Sequence, residues 1–418
     1  MKNVYDTAII GAGASGLIAA ITAARTGSDL IVLEHMDQAA KKILSTGNGK
    51  CNYTNKNQEL EHYYCEDPEF LRKVFLQFSY EDTISFFEQL GIRPVEKNGT
   101  CIYPESEQAS SVRNVLLAEA KRLQIPIAYE VGIRKIQLRG QLFEIVTKEA
   151  TVYSRTCILA TGGKAAKKTG SDGSGYLYAR QFGHTIVEPL PALVALIADF
   201  KKWKLPAGVR IKCRAILYVD GEQKAEEYGE LQITDYGLSG IVVFQFSRIA
   251  ARALAERKQV QVALDLKPDM NLHKLKEYLR ERLFSKYHVN QTISGGLVGF
   301  MPDKLIPVIL NRSGIHIGQL CKDCSKRQIE KLSQLLKCYE VMITGTKNFD
   351  AAQTTAGGVP ISEIHPSTME SRLVKGLYFA GELVDVDAKC GGYNLQWAWS
   401  SGYTAGKNAV KLFGKGRK

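Results

Sequence analysis

The sequence predicts an α/β fold: a Rossmann-like nucleotide-binding domain interrupted by an inserted β-barrel and a helical cap. Three observations predict it. A glycine fingerprint, Gly11-x-Gly13-x-x-Gly16, follows an apolar strand near the N-terminus. A second apolar strand, ending in Gly381-Glu382, stands more than two hundred residues after one ending in Ala160-Thr161-Gly162. Between the two, the text alternates like strands and then takes a helical period.

Taken in order, Tyr5 to Ile10 is an apolar run of strand length. Gly11 permits a sharp turn, Gly13 lets the backbone approach a pyrophosphate, and Gly16 lets a helix from Ser15 to about Thr26 lie close on the strand. The first N–H groups of that helix then face the pyrophosphate. A strand from Asp29 to Leu33 ends in Glu34, where an acidic side chain accepts from ribose hydroxyls. Ile125 to Val131 and Phe143 to Thr147 flank Gly140 as a hairpin region, and Thr156 to Ala160 is a buried strand. The strand from Gly376 to Glu382 belongs beside the first one. The nucleotide domain is therefore expected to be discontinuous, residues 1–190 and 345–418.

Residues 191–270 and 338–344 are expected to form the barrel. Segments such as IKCRAILYVDG, IVVFQF and VQVALDL read as strands, punctuated by Gly208, Gly221, Gly229 and Gly240. Residues 271–337 turn helical: Leu272, Leu275, Tyr278, Leu279 and Leu283 share one face, and Ile329, Leu332, Leu335 and Leu336 another.

Hydrophobic residues make up 45% of the 418 and aromatics 9%, a globular composition without low-complexity tracts. The run Ala8 to Ala24 reads as strand plus helix and not as a targeting segment, because its basic flank is only Lys2. No other stretch suits a bilayer, and a cytoplasmic protein without membrane contact is expected. Nine scattered cysteines fit a reducing compartment. His316, Cys321, Cys324 and Cys338 contain one C-x-x-C, but only one pair has finger-like spacing, so no metal is expected. The net charge of +12 is concentrated between Lys201 and Asp350, with 25 Lys and Arg against 16 Asp and Glu. That excess reads as a solubilising face, or as a field that attracts RNA or an acidic small substrate. Trp203, Tyr218, Phe244 and Phe246 interleave with it, which strand cores also require.

Two features favour FAD over NAD as the resident ligand. The ends Ala160-Thr161-Gly162 and Ala380-Gly381-Glu382 correspond to the second and third contacts that flavoproteins of the glutathione-reductase type make with FAD. A final helix from about Asn394, behind Cys390-Gly391-Gly392-Tyr393, would aim its positive end at the flavin N1 and C2 carbonyl. A second glycine fingerprint is missing, so NADH or NADPH is expected as a transient co-substrate at the flavin.

KKILSTGNGKCNYTN (Lys41 to Asn55) resembles the signature of the BaiN/RdsA-type flavoproteins, also described as aminoacetone-oxidase-like or YhiN-like. The similarity continues in GTCIYPESEQASSV (Gly99 to Val112), ATGGKAAKKTGSDGSGY (Ala160 to Tyr176), YGLSG (Tyr236 to Gly240) and TTAGGVP (Thr354 to Pro360). It ends in GLYFAGELVDVDAKCGGYNLQWAWSSGYTAG, Gly376 to Gly406. Two positions depart from the pattern: Lys50 stands where the family usually has Arg, and Asp235 where it often has His. A lysine is a point charge without the bidentate fork of arginine.

The resemblance implies an FAD-dependent oxidoreductase of the architecture given above. Gly11, Gly13, Ala14, Ser15, Gly16 and Glu34 would hold the ADP half, with Lys42 and Val131 flanking ribose and adenine. Thr46, Gly47, Asn48, Gly49, Cys51 and Asn52 would wrap the isoalloxazine and ribityl. Ala160, Thr161 and Gly162 would contact the cofactor beside the fingerprint. Gly381, Glu382, Asp387, Gly392, Tyr393, Asn394 and Leu395 would close the other side. Candidate proton donors are Cys51, Tyr103 and Cys390. The implied reaction is reduction of a conjugated C=C bond, in a uracil of ribosomal RNA or in a steroid or bile-acid enone, with NAD(P)H as donor. An amine oxidase that releases hydrogen peroxide, and an RNA-binding assembly factor with structural FAD, remain alternatives.

Overall fold

Val4–Ile10 lies inside a seven-stranded sheet, and its all but continuous burial is that of a central strand covered on both faces. A computed structural model describes residues 4–199 and 205–410 of this chain. Val4–Ile10 pairs in parallel with Leu30–Leu33 on one side and with Thr151–Leu159 on the other. Thr151–Leu159 is shared. Its first half pairs antiparallel with Leu142–Thr147, and its second half runs parallel to Leu377–Phe379. The late strand therefore stands in the same sheet as the first, but against Thr151–Leu159 and not directly beside Val4–Ile10 as expected.

The chain divides into two units, Met1–Leu190 with Gln353–Lys418, and Pro191–Ala352. In the first, helix Ala14–Arg25 crosses helix Tyr393–Ala409 at two glycines. A Cβ on Gly402 would stand 2.4 Å from Ser15 O, and one on Gly406 would stand 2.4 Å from Ala19 O. Only glycine permits that approach, so the fingerprint helix and the last helix are joined almost backbone to backbone.

The second unit holds a closed barrel of six strands: Leu196–Ala198, Gly237–Ser239, Glu222–Ile233, Val209–Val219, Val260–Asp265 and Tyr339–Thr346. Helices Leu272–Leu283, Ile293–Leu297, Ile306–Arg312 and Lys326–Lys337 follow between the last two of these in sequence. Asn271 caps the first, accepting from Lys274 N, and Ser325 with Gln328 forms a capping box on the last. The faces read from the sequence are only partly core. Leu275, Leu279, Leu283, Ile329, Leu332 and Leu336 are buried, whereas Leu272 is exposed and Tyr278 and Leu335 are half-buried.

Three expectations are corrected here. The run IVVFQF is not a strand but the start of helix Ile241–Ala255, which buries Val242, Val243, Phe246 and Ala250 at helical spacing. Ile125 to Val131 is not a hairpin arm: Ile127–Ala128 joins the sheet edge in parallel beside Leu30–Leu33. The hairpin is Ile133–Arg139 with Leu142–Thr147. Finally, the first unit resumes at Gln353 and not at residue 345, because Tyr339–Thr346 closes the barrel against Val260–Asp265 and Leu196–Ala198. Lys201, Lys202, Trp203 and Lys204 lie outside the described residues.

Candidate functional site

The three motif ends converge in the first unit. Gly11 sits at φ 101°, and a Cβ there would stand 2.5 Å from Ala160 O. A Cβ on Gly16 would collide with Gly11 O at 2.0 Å. A Cβ on Gly381 would stand 2.5 Å from Ser15 Oγ. Gly13 differs from all of these: nothing lies within 4 Å of its Cβ position. Gly13 also caps helix Ala14–Arg25 without a side-chain bond, and the first turn has no acidic residue. The unpaired N–H groups of that turn open onto space, which suits a diphosphate.

Glu34 stands at the neighbouring strand end and is buried. Its Oε2 accepts from Ala12 N at 2.7 Å and its Oε1 from Met36 N at 2.8 Å. Two backbone donors leave lone pairs on the carboxylate for ribose hydroxyls. Val131 is at the same end, its N–H donating to Glu34 O at 2.9 Å.

The segment Lys41–Gly49 is a kinked 3₁₀ run. Gly47, Asn48, Gly49 and Cys51 all have positive φ, between 54° and 83°. Gly47, Asn48 and Gly49 are exposed, and the Thr46 hydroxyl is tied back to Ile43 O. Left-handed backbone at a cysteine costs on the order of 1 kcal/mol and persists where surroundings enforce it. Here Cys51 N donates to Thr46 O at 3.0 Å, and Lys50 Nζ reaches Glu107 Oε2 at 2.7 Å. Glu107 also pairs with Lys97, and the two ammonium groups hold its carboxyl down at about 2.

Lys42 is not left to face a ribose alone: its Nζ lies 2.7 Å from Glu382 Oε2 and 3.3 Å from Ala165 O. Glu382 Oε1 accepts from Thr355 N and Oγ1, at 2.9 and 2.8 Å. Thr355 Oγ1 in turn accepts from Lys164 N and Ala165 N. One bonded chain thus fixes the loop after Ala160, the Lys41–Gly49 run and the late turn. Gly163 lies against it, with Thr355 Oγ1 2.5 Å from its Cβ position. Thr161 and Gly162 stay half-exposed beside it.

Helix Tyr393–Ala409 starts at Gly392, again with no side-chain cap and no acid in its first turn. Asn394 holds its entry: Nδ2 donates to Ala388 O, and Oδ1 accepts from Ala388 N. Asp387 is buried in the short strand Asp387–Ala388, paired with Tyr63–Tyr64. Trp397 Nε1 donates to Gly381 O, Trp399 Nε1 to Tyr53 O, and Gln396 Oε1 accepts from Thr54 Oγ1. Ser401 Oγ accepts from Gly381 N. These four, with Thr355, position the site and were missed in the sequence. The indoles of NLQWAWSS were the available signal, since a buried indole N–H needs an acceptor.

The candidate donors differ in access. Cys51 is fully buried, and burial pushes its thiol up to about 12. It therefore lacks the reach of a proton donor to substrate. Tyr103 and Cys390 are half-buried. Tyr103 lies beside Gly47, its ring 3.5 Å from the Gly47 Cβ position, with Lys97 Nζ 5.9 Å from the ring centre. Burial raises its hydroxyl above the ordinary value, so it keeps its proton at neutral pH. Tyr393 is buried against His62, ring centres 4.7 Å apart, and is pushed up to about 12 by burial. Asn52 is buried beside Gly392, its Oδ1 2.9 Å from the Gly392 Cβ position and without a partner. Leu395 is partly buried against the core.

The residues present fit FAD. Gly13 leaves an open cradle, two uncapped helix starts offer N–H groups, and Glu34 would supply the ribose acceptor. Among the described residues no cluster of three or more His, Cys, Asp or Glu could hold a metal, and no helix is long and apolar enough to cross a membrane.

Comparison with known proteins follows the same lines. The HI0933-like protein Rossmann domain matches residues 5–408. A 3-dehydro-bile acid delta(4,6)-reductase of Clostridium scindens is 42% identical over 96% of this chain and 98% of its own. A ribosomal RNA dihydrouridine synthase of Haemophilus influenzae is 29% identical, again over 96% and 98%. A 3-ketosteroid delta1-dehydrogenase structure from Sterolibacterium denitrificans covers 98% of this chain and all of its own at 11% identity, with a TM-score of 0.51, a likeness of fold.

Proposed function

This chain belongs to the HI0933-like Rossmann family and is an FAD-dependent oxidoreductase; from that premise we propose that it reduces a C=C bond conjugated to a carbonyl, with NADH or NADPH as donor. The observation that carries the reading is whole-length similarity to a 3-dehydro-bile acid delta(4,6)-reductase and to a ribosomal RNA dihydrouridine synthase. Bound FAD supplies hydride chemistry that no side chain can. The chain's part is to hold it and to manage the proton. Gly13 and the first turn of Ala14–Arg25 bind the diphosphate, and Glu34 the ribose. The Lys42–Glu382–Thr355 chain keeps the surrounding loops from opening. Tyr103, half-buried and protonated at neutral pH, is the donor best placed to deliver a proton to the α-carbon, with Cys390 second.

The cap favours RNA over a small steroid. Residues 271–337 carry 12 Lys and Arg against 5 Asp and Glu. Lys274, Arg280, Lys286, Lys326 and Arg327 are exposed and take part in no ion pair among the described residues. Tyr287 is 72% exposed beside Lys286, and Phe284 43%. Cations with exposed rings suit unstacked bases. On the barrel hairpin, by contrast, Arg210 and Arg214 are paired with Glu230 and Glu226, and Phe246, expected among the interleaved aromatics, is core.

Product analysis tests the reading. The holoprotein is incubated with NADH or NADPH and, separately, a 3-oxo-4-ene steroid or a large-subunit ribosomal RNA fragment, followed by mass spectrometry. A gain of two hydrogens in either substrate supports it; hydrogen peroxide from an amine with no reduced product would replace it with the oxidase reading.

A further inference from the structure

A cavity of about 400 Å³ opens in the first unit between the loop after Gly163 and helix Ser174–Gln181. Lys164 and Arg180 bring two cations to it, Asp172 and Glu188 two carboxylates, and Leu177 and Ile186 an apolar wall. Arg180 and Glu188 line the same cavity yet pair neither with each other nor with another charge among the described residues. Two opposite charges that line one cavity without pairing complement a ligand that carries both an anion and hydrogen-bond donors. Leu177 is 59% exposed although it is large and apolar, which suits a flat ring lying on it.

The cavity adjoins the bonded chain of Thr355, Glu382 and Lys42. Lys164 follows Gly163, and its own N–H donates to Thr355 Oγ1, the hydroxyl that also bonds Glu382. A ligand seated there lies one loop away from the cofactor-holding chain of bonds.

We propose that this cavity docks the adenosine phosphate half of a visiting nicotinamide dinucleotide. Phosphate oxygens accept from Arg180 and Lys164. Ribose hydroxyls and the adenine amine donate to Glu188 and Asp172, and the purine lies on Leu177 and Ile186. The inference rests on the reading that a nicotinamide dinucleotide feeds the flavin, and it supplies what the chain otherwise lacks, a handle for that dinucleotide without a second glycine fingerprint.

The test uses FAD-loaded protein and two probes, AMP and ADP-ribose, by calorimetry, so that no turnover is needed. AMP is expected to bind, and Arg180→Glu is expected to weaken it roughly tenfold or more, as loss of a charge-assisted phosphate contact does. Glu188→Gln should weaken it less. Flavin content and visible spectrum of both variants should stay as in the parent, since Arg180 and Glu188 are exposed. In anaerobic stopped flow, Arg180→Glu should raise the dinucleotide concentration for half-maximal flavin bleaching and leave the saturating rate. No AMP or ADP-ribose binding by the parent, or equal affinity in Arg180→Glu, overturns the proposal. AMP binding that depends on Arg180, in a protein whose flavin neither NADH nor NADPH bleaches, upholds the nucleotide site and overturns the donor reading instead.

Discussion

At Gly13 an added side chain meets no protein atom, whereas at Gly16 it meets Gly11 O at 2.0 Å. The two glycines of one motif therefore fail differently when replaced. Gly13→Val is expected to fold and to purify colourless, because its side chain fills the space for the diphosphate. Gly16→Val is expected to lose soluble protein, because the helix must leave the strand. The ratio of flavin absorbance to protein absorbance, read with thermal unfolding, separates the two. Cys51 makes a further residue-scale case. With its thiol buried and pushed up to about 12, it should resist iodoacetamide in the native protein at pH 8 and react after unfolding, while exposed Cys338 reacts in both. Peptide mass spectrometry reads the difference, and early alkylation of Cys51 would reopen its candidacy as a proton donor. Thr46 to Asn52 were legible in the sequence as a block of similarity. What the block could not show was the left-handed backbone at Asn48 and Cys51, which accompanies the turn closed by Cys51 N on Thr46 O.

Between elements, helices Ala14–Arg25 and Tyr393–Ala409 approach closely at Gly402 and Gly406. Gly406→Val must push these backbones apart, and a cost of at least about 2 kcal/mol is expected, the scale of overpacking in a dense core; denaturant unfolding measures it. A second clip ties His184 to the loop around Glu363 and Ser371. His184 Nδ1 is 2.7 Å from Glu363 Oε2, and Nε2 is 2.8 Å from Ser371 Oγ. Burial lowers the His184 imidazole below its ordinary value, against the opposing pull of Glu363. Since the folded state disfavours the proton that the unfolded chain accepts at about pH 6.5, the contribution is present above that pH and lost as pH falls below it. The melting temperature should therefore drop between pH 7 and 5.5, and His184→Gln should flatten that slope. The sequence showed the sheet's strands because their apolar runs are continuous, and the helix at Gly402 and Gly406 because its start follows a glycine turn. It misled at IVVFQF, where a short apolar run fits either period; the Ala-rich continuation through Ala255 and the break at Gly240 favour the helix.

On the scale of the whole chain, two strands separated by most of the sequence, Thr151–Leu159 and Leu377–Phe379, meet in one sheet. From sequence their end motifs were expected to reach one cofactor, and the fold brings both to the same end of one sheet, beside Gly11 and Ser15. The charge excess was readable too, but not its placement: the barrel hairpin neutralises much of its own, and the cap keeps exposed cations. If the cap docks RNA, affinity for a ribosomal RNA fragment should fall steeply with salt, and Arg280→Glu with Lys286→Glu should weaken it and lower the slope by about 2 in the log–log plot. Filter binding across salt concentrations reads both, and salt-independent affinity would leave the charge as a solvated face.

The central claim, a flavin that takes electrons from a nicotinamide and passes them to a conjugated double bond, is tested most directly by two anaerobic half-reactions on the yellow holoprotein. NADH or NADPH should bleach the flavin, and addition of the enone steroid or the uracil-containing RNA, with oxygen still excluded, should restore its colour in step with reduced product. A bleached flavin that neither substrate reoxidises, and that recovers only on admission of oxygen with stoichiometric hydrogen peroxide, would contradict the claim.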